Sequence, residues 1–395
     1  ISGTTRFISG GDNDVTPNII HPTLAKIEGT PGISLFIVPK VWVNDDGSLG
    51  EPNDVLTAGI EHKLGLKGQA TAELKFGENG KCRGYLLGAP QKGLSYMFQL
   101  MNQARLHTGV QAIAQASAAF YCSLQYSRAR EQGRDVGAAM AASTGDERRS
   151  TGRGDEKSPQ IPIIRHAAVR EMLLTQKAYV EGITALLLFA GYLGDKLQIA
   201  TDEEEKRNLK GLMELLTPVC KAYGSELAYD SIDLAVQCYG GSGFIEEFPV
   251  AQMLRDNRVF SIYEGTNQIQ AMDLLGRKVV YDNGAYFRIL MSEIGKTVEE
   301  AKGFESLKPM AELIETALMK VASVTMHLGQ IGMSGDINRY LSYATPYLHL
   351  FSPLTVGWLF LWQCVIAEKA LAAGAGDSEK FYLGKIATAR HYINT

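Results

Sequence analysis

A chain of 395 residues exceeds the usual ceiling for one hydrophobic core, so two or three packed units are expected. Its 45% apolar and 21% charged content is ordinary for a soluble globular protein. A net charge of −4 gives no basic face for nucleic acid and disfavours polyanion binding. The five cysteines, Cys82, Cys122, Cys220, Cys238 and Cys364, are odd in number, lack CxxC spacing and sit mostly in apolar runs, which fits reduced thiols in a cytoplasmic protein. None of the seven histidines falls in a recognised ligand spacing, so no metal site is expected.

The sequence opens on Ile1-Ser2-Gly3-Thr4, without an initiator Met, a basic n-region or a cleavage-type apolar segment, and runs directly into Arg6-Phe7-Ile8. It is expected to begin in the middle of a domain. Across residues 1–91, short segments rich in β-branched residues alternate with Gly, Pro, Asn and Asp. These predict strands at Thr5–Ile8, Ile19–Ile27, Ile33–Val38, Val55–Ile60, Thr71–Phe76 and Tyr85–Leu87. The alternation in Ala72-Glu73-Leu74-Lys75-Phe76 turns one face inward and one toward water, as an antiparallel sheet requires.

From Lys92-Gly93 the period changes. Leu94 to Glu131 contains no proline and predicts one or two very long helices. Its stripe of Ala104, Gly109, Ala112, Ala116 and Ala119 lets neighbouring helices approach closely. Asp135–Ser158 combines Gly, Ser, Thr and alternating charge and reads as a solvated loop. Helical patterning returns at Ile163–Ala200 and Glu203–Cys238, with a kink expected at Thr217-Pro218. Thr201 and Glu204 form a capping box, so the acidic run Asp202–Glu205 reads as a helix start and not as a metal site. Further helices are expected at Phe287–Lys302, Met310–Gly329, Leu354–Ala373 and Glu379–Tyr392. The apolar stretch Phe351–Ile366 is shorter than the roughly 20 residues a membrane span needs and reads as a buried helix. The expected class is α+β: part of an antiparallel β domain (1–91), an all-α helical-bundle domain (92–280) and a helical C-terminal extension (281–395).

Three segments go beyond what core packing asks for. In Gln237-Cys238-Tyr239-Gly240-Gly241-Ser242-Gly243 the glycines end a helix and leave bare backbone amides, which suits a phosphate or cofactor and equally a glycine C-cap. In Ile262-Tyr263-Glu264-Gly265-Thr266 a carboxylate follows two hydrophobic residues, a setting that desolvates it toward a useful base. The same carboxylate could simply face a helix N-terminus. Arg105, and Arg128-Ala129-Arg130 at the far end of the long helix, can clamp a phosphate or remain solvated cations at a helix C-terminus.

In order and spacing these segments resemble the acyl-CoA dehydrogenase family, with its Gln-x-x-Gly-Gly-x-Gly segment followed by Tyr-Glu-Gly-Thr. Agreement extends upstream through Asn102-Gln103-Ala104-Arg105, Leu64-Gly65-Leu66-Lys67-Gly68 and Gly3-Thr4-Thr5-Arg6-Phe7-Ile8-Ser9-Gly10. Gly10-Gly11-Asp12, Met101–Arg105 and the long C-terminal extension are similar to the subfamily that includes 3-methylmercaptopropionyl-CoA dehydrogenase. The resemblance implies an FAD enzyme that converts an acyl-CoA thioester to its trans-2-enoyl-CoA, with the α-proton going to Glu264 and the β-hydride to flavin N5. It implies that Arg105, Asn102, Tyr263 and Gly265 lie at the substrate. Phe7, Ile8 and Ser9 match the strand against the flavin ring, with Phe7 where a Trp is common. Arg130 matches an arginine at the FAD pyrophosphate, although Glu131-Gln132-Gly133 departs from the Phe-Gly of many members. Gln237, Gly240 and Gly241 match contacts to the FAD of a neighbouring subunit, and Thr266 and Gln268 match contacts to the ADP half of FAD.

A homodimer or dimer of dimers follows from that resemblance, as does an electron-transfer flavoprotein as redox partner. Two alternatives stand beside it: an acyl-CoA oxidase using O₂, and a catalytically silent flavin- or CoA-binding scaffold. The family's N-terminal helical domain and first β strands have no counterpart here, and residue 1 is expected to follow a truncation or a proteolytic cut.

Overall fold

The computed structural model describes residues 1–135 and 160–395, so the polar segment expected as a solvated loop lies outside the described residues save for Asp135. The chain divides into two compact units, Ile1–Ala104 and Arg105–Thr395.

The first unit is built from β1 (Gly3–Ser9), β2 (Ile20–Lys26), β3 (Ile33–Pro39), β4 (Val41–Val43), β5 (Leu49–Pro52), β6 (Val55–Ile60), β7 (Thr71–Phe76) and β8 (Tyr85–Leu87). The strands pair antiparallel in the orders β1-β7-β6, β2-β3-β8 and β4-β5. All six expected strands are present within two residues at each end. The hairpin β4-β5 was not anticipated, because Pro39 and the turn-rich Asn44–Gly47 hide two very short strands. The predicted alternation in β7 buries Ala72, Leu74 and Phe76, which with Val38, Val55 and Cys82 make this unit's core. Between Thr5 and Ile8 the β1–β7 register shifts, and Phe7 takes a left-handed φ of 63° with its ring 69% exposed. A bulge of this kind re-aims a side chain out of the pleat.

The second unit is helical. It takes up the long helix α1 (Gly93–Ala129) from Arg105 onward and adds α2 (Ala167–Ile199), α3 (Glu203–Tyr239), α4 (Pro249–Asn257) and α5 (Asn267–Asp273). Then follow α6 (Ala285–Lys302), α7 (Lys308–Met333), α8 (Ile337–Ser342), α9 (Ala344–Ala372) and α10 (Glu379–Asn394). One hydrophobic cluster runs from Ala112 of α1 to Ala389 of α10. Helix α3 runs unbroken through Pro218, and Thr217 Oγ1 donates to the Met213 carbonyl one turn back. The expected capping box at Thr201 is corrected: the N-cap is Asp202, whose side chain accepts from the Glu205 amide at 2.7 Å.

Helix α9 begins ten residues before the pattern suggested and carries Pro353 in its interior. Burial of Phe351, Leu354, Val356, Phe360 and Cys364 outweighs the local cost of the proline. At 29 residues this helix, like α2, is long and apolar enough to cross a membrane, so the length argument does not hold for it. Its apolar window is 72% buried inside the protein, as a core helix requires.

The small-residue stripe of α1 is a packing device. Ala112, Ala116 and Ala119 are fully buried, and a Cβ on Gly109 would stand 2.6 Å from the Cys220 carbonyl of α3. Backbone cannot yield as a side-chain tip can, so Gly109→Ala is expected to destabilise the protein by about 1–3 kcal/mol. An unchanged midpoint in equilibrium denaturation would contradict that packing account.

Candidate functional site

The turn between Ile262 and Thr266 is held from behind by buried polar groups. Arg105, 3% exposed, reaches it from α1. Its Nη1 pairs with Asp273 Oδ2 at 3.2 Å, and its Nε lies 3.4 Å from the backbone carbonyl of Glu264. Burial lowers the Arg105 pKa, and Asp273 opposes that shift. Asp273 also accepts from Arg277 Nε at 2.7 Å, so one carboxylate serves two guanidinium groups. The fully buried Gln270 donates from Nε2 to the carbonyls of Gly265 at 3.2 Å and Glu264 at 3.4 Å.

The backbone at this turn is not relaxed. Glu264 has φ 57° and Gly265 φ 88°. A non-glycine residue in the left-handed region costs on the order of 1–3 kcal/mol and persists only where its surroundings over-determine it. Here Arg105 and Gln270 grip the carbonyls, and Thr266 caps α5 by accepting from the Ile269 amide. A Cβ on Gly265 would stand 2.6 Å from Gln270 Nε2, so a larger residue would have to push that amide away from the carbonyls it holds. Among the described residues the half-buried Glu264 carboxylate makes no hydrogen bond or ion pair. The neighbouring Tyr263 hydroxyl donates to Gln111 Oε1 at 2.6 Å, and burial raises its pKa.

A second buried cation lies under the same turn. Lys221 of α3 is fully buried, and its Nζ donates to Asn267 Oδ1 at 2.9 Å. Asn267 Nδ2 donates in turn to the Ala222 carbonyl at 3.2 Å and to Glu226 Oε1 at 2.9 Å. Desolvation pushes the Lys221 pKa down to about 8, with Arg105 adding to the effect and Glu226 and Glu264 opposing it. Sequence reasoning missed Lys221, Gln270 and Asp273. A lone lysine inside the apolar run Leu215–Ala222 was a usable signal for the first, whereas nothing local links Asp273 to Arg105.

The other expected site residues fall in three places. Phe7, Ile8 and Ser9 lie on β1 of the first unit, and Asn102 is half-buried on α1, one turn before Arg105. Arg130, Gln237 and Gly240 line a cavity of about 380 Å³ together with Gln132, Gly133 and His166. Thr266 and Gln268 line a separate cavity of about 760 Å³ with Glu226, Arg258, Ser261 and His349. At the glycine segment the C-cap reading holds. Gly240 is the C-cap of α3 with φ 58°, yet a Cβ on Gly240 or Gly241 would meet nothing within 4 Å. Gly243 differs, since its Cβ would stand 2.4 Å from the Val236 carbonyl. Thus Gly243 is needed for packing, while Gly240 and Gly241 are exposed and the Gly240 amide donates to the Gln237 carbonyl. Among the described residues, no group of three or more His, Cys, Asp or Glu side chains could hold a metal ion.

An antiparallel β unit followed by this helical bundle is the fold of solved acyl-CoA dehydrogenases. The structure resembles that of the Bacillus anthracis acyl-CoA dehydrogenase complexed with FAD, with a TM-score of 0.71 at 22% identity over 99% of this chain and 61% of that one. The chain belongs to the acyl-CoA dehydrogenase family: residues 154–279 match the acyl-CoA dehydrogenase C-terminal domain and residues 290–395 the acetyl-CoA dehydrogenase C-terminal-like domain. It is 37% identical to a butyryl-CoA dehydrogenase of Syntrophomonas wolfei over 100% of this chain and 63% of the relative. It is 38% identical to the 3-methylmercaptopropionyl-CoA dehydrogenase of Ruegeria pomeroyi over 98% of this chain and 63% of the relative. The chain thus spans under two thirds of the length of these curated relatives.

Because the folded pKa of Lys221 lies below the ordinary 10.5, the unfolded chain binds the extra proton between about pH 8 and 10.5, and unfolding free energy rises with pH across that window. Below about pH 8 the burial penalty is present in full. Relative to Lys221→Met, the parent protein is expected to gain up to about 3 kcal/mol between pH 8 and 10.5. Parallel pH dependences of urea unfolding in the two proteins would contradict the buried, charge-bearing lysine.

Proposed function

We propose that this chain forms the C-terminal part of an FAD-dependent acyl-CoA dehydrogenase in which Glu264 removes the α-proton of the acyl thioester. The observation that carries this reading is a half-buried carboxylate without a hydrogen-bond partner among the described residues, held in a strained conformation by buried side chains. A structural carboxylate would be spent on a partner, whereas a base toward a carbon acid must keep its oxygens uncommitted until substrate arrives. Pinning the backbone while leaving the carboxylate unpaired fixes where the proton is received, so little is lost to reorientation at each turnover.

The cofactor residues fit an FAD. Arg130 and Gln237 line one cavity with the exposed turn at Gly240, where a guanidinium and a side-chain amide can donate to a diphosphate. Bound FAD would supply the acceptor for the hydride leaving the substrate's β-carbon. Arg130, Gln237 and Gly240 occupy one cavity and Thr266 and Gln268 another, which fits a cofactor held partly by each of two copies of the chain. A homodimer is therefore the working assembly. An acyl-CoA is the substrate and a trans-2-enoyl-CoA the product, as the names of the Syntrophomonas and Ruegeria relatives support for the substrate class. An electron-transfer flavoprotein takes up the electrons. Retention of both Glu264 and Arg105 favours this reading over a silent scaffold.

Adding acyl-CoAs anaerobically to the flavin-loaded protein should bleach the flavin absorbance. Glu264→Gln should keep its flavin but reduce it at least about 10²-fold more slowly, the usual contribution of a general base. Reduction at the parental rate would show that Glu264 is not the base, and peroxide formed under air at the rate of turnover would make the enzyme an oxidase.

A further inference from the structure

The cavity that contains Thr266 and Gln268 is not closed by the acyl-CoA dehydrogenase domain at 154–279 alone. Helix α9, in the separately matched segment 290–395, contributes His349 to its wall. One turn earlier on the same helix, Thr345 Oγ1 donates to Gln268 Oε1. With its oxygen engaged, the Gln268 amide is fixed in one orientation and its Nε2 remains as a donor. His349 Nε2 lies 2.9 Å from Glu226 Oε2. A carboxylate can only accept, so that ring nitrogen carries the proton and Nδ1 is the atom left over for a ligand. Glu226 is itself fixed, since its other oxygen accepts from Asn267 Nδ2.

We propose that Thr345 and His349 of the C-terminal helical segment form part of the binding site for the ADP half of the dinucleotide cofactor, alongside Thr266 and Gln268. This inference rests on the FAD reading above. The cavity's size, about 760 Å³, lies within the range of pockets that bury small cofactors. Its polar wall is mixed in a way that suits an adenosine diphosphate. Arg258, the Gln268 amide and the Thr266 hydroxyl can donate to phosphate oxygens, while Glu226 and Asp230 are acceptors for ribose hydroxyls or an exocyclic amine. The C-terminal segment is then part of the cofactor site and more than an appendage to the bundle.

The test is FAD titration into the full-length apoprotein, followed by flavin fluorescence, with free ADP and FMN as competitors. Thr345→Val and His349→Ala should each weaken FAD and ADP binding about tenfold and leave FMN binding unchanged. His349→Gln, which keeps a hydrogen-bonding group toward Glu226, should recover part of the loss. Thermal midpoints and far-ultraviolet circular dichroism matching the parent would exclude misfolding as the cause. If Thr266→Val weakens FAD while both α9 variants bind FAD and ADP like the parent, the proposal is overturned and the FAD reading stands. A parent protein that takes up no FAD sinks both.

Discussion

The turn that carries the proposed base depends on a pair of buried charges. Arg105 on α1 and Asp273 at the end of α5 meet at 3.2 Å in an interior that neither could occupy alone. Removing one partner of such a pair typically costs about 3–5 kcal/mol, because the other is left charged and dry. A pair of leucines would stabilise the bundle as well or better. What the ion pair contributes is position: a guanidinium presents several donors in a rigid fork, so one arm can hold Asp273 while Nε approaches the Glu264 carbonyl. Strain at Glu264 is tolerable only because this fork and Gln270 hold its peptide plane. The turn, the cap at Thr266 and the start of α5 are therefore one mechanical unit.

That unit sits on a second one. Lys221, Asn267, Glu226 and His349 form a chain of hydrogen bonds that leads from the middle of α3, past the first residue of α5, to α9. Polar networks inside a protein specify a unique arrangement when every member is satisfied, since any slip leaves an unpaired group at low dielectric. Asn267 is the junction. Its oxygen accepts from Lys221 and its nitrogen donates to Glu226, so its amide cannot flip without placing donors against donors. The buried end of that hydrogen-bond chain, at Lys221 and Asn267, fixes the start of α5 against α3.

How much of this was legible in the sequence follows from how local each determinant is. The strands of the first unit announce themselves through alternation and β-branching, and β7 keeps its burial pattern residue for residue. Helix ends were readable to within a few residues wherever tertiary packing did not override local preference. They were misread at α9, where core burial carries a helix across Pro353, and the cap of α3 moved by one residue because Asp202 competes with Thr201. At the site, Glu264 and Thr266 could be singled out since the turn's chemistry is written in consecutive residues. Asp273 and His349 could not be. Each acts through a partner 168 or 123 residues away, and neither stands in a pattern that marks it.

The two cavities also bear on why the helical segment after residue 290 should stay joined to the rest. Arg130 and Gln237 offer side-chain donors in one cavity of the bundle, and Thr266 and Gln268 offer them in another. A dinucleotide is an extended ligand with a flat aromatic ring at each end and an anionic diphosphate between them, so it needs unlike surroundings along its length. Sharing the ligand between copies answers part of that demand, and lending Thr345 and His349 from α9 answers another, because a buried core helix holds side chains with less entropic cost than a loop. A helix whose apolar residues are mostly buried can therefore be both core and binding wall: Phe351 and Val356 anchor it, and His349, one turn before Pro353, lines the cavity.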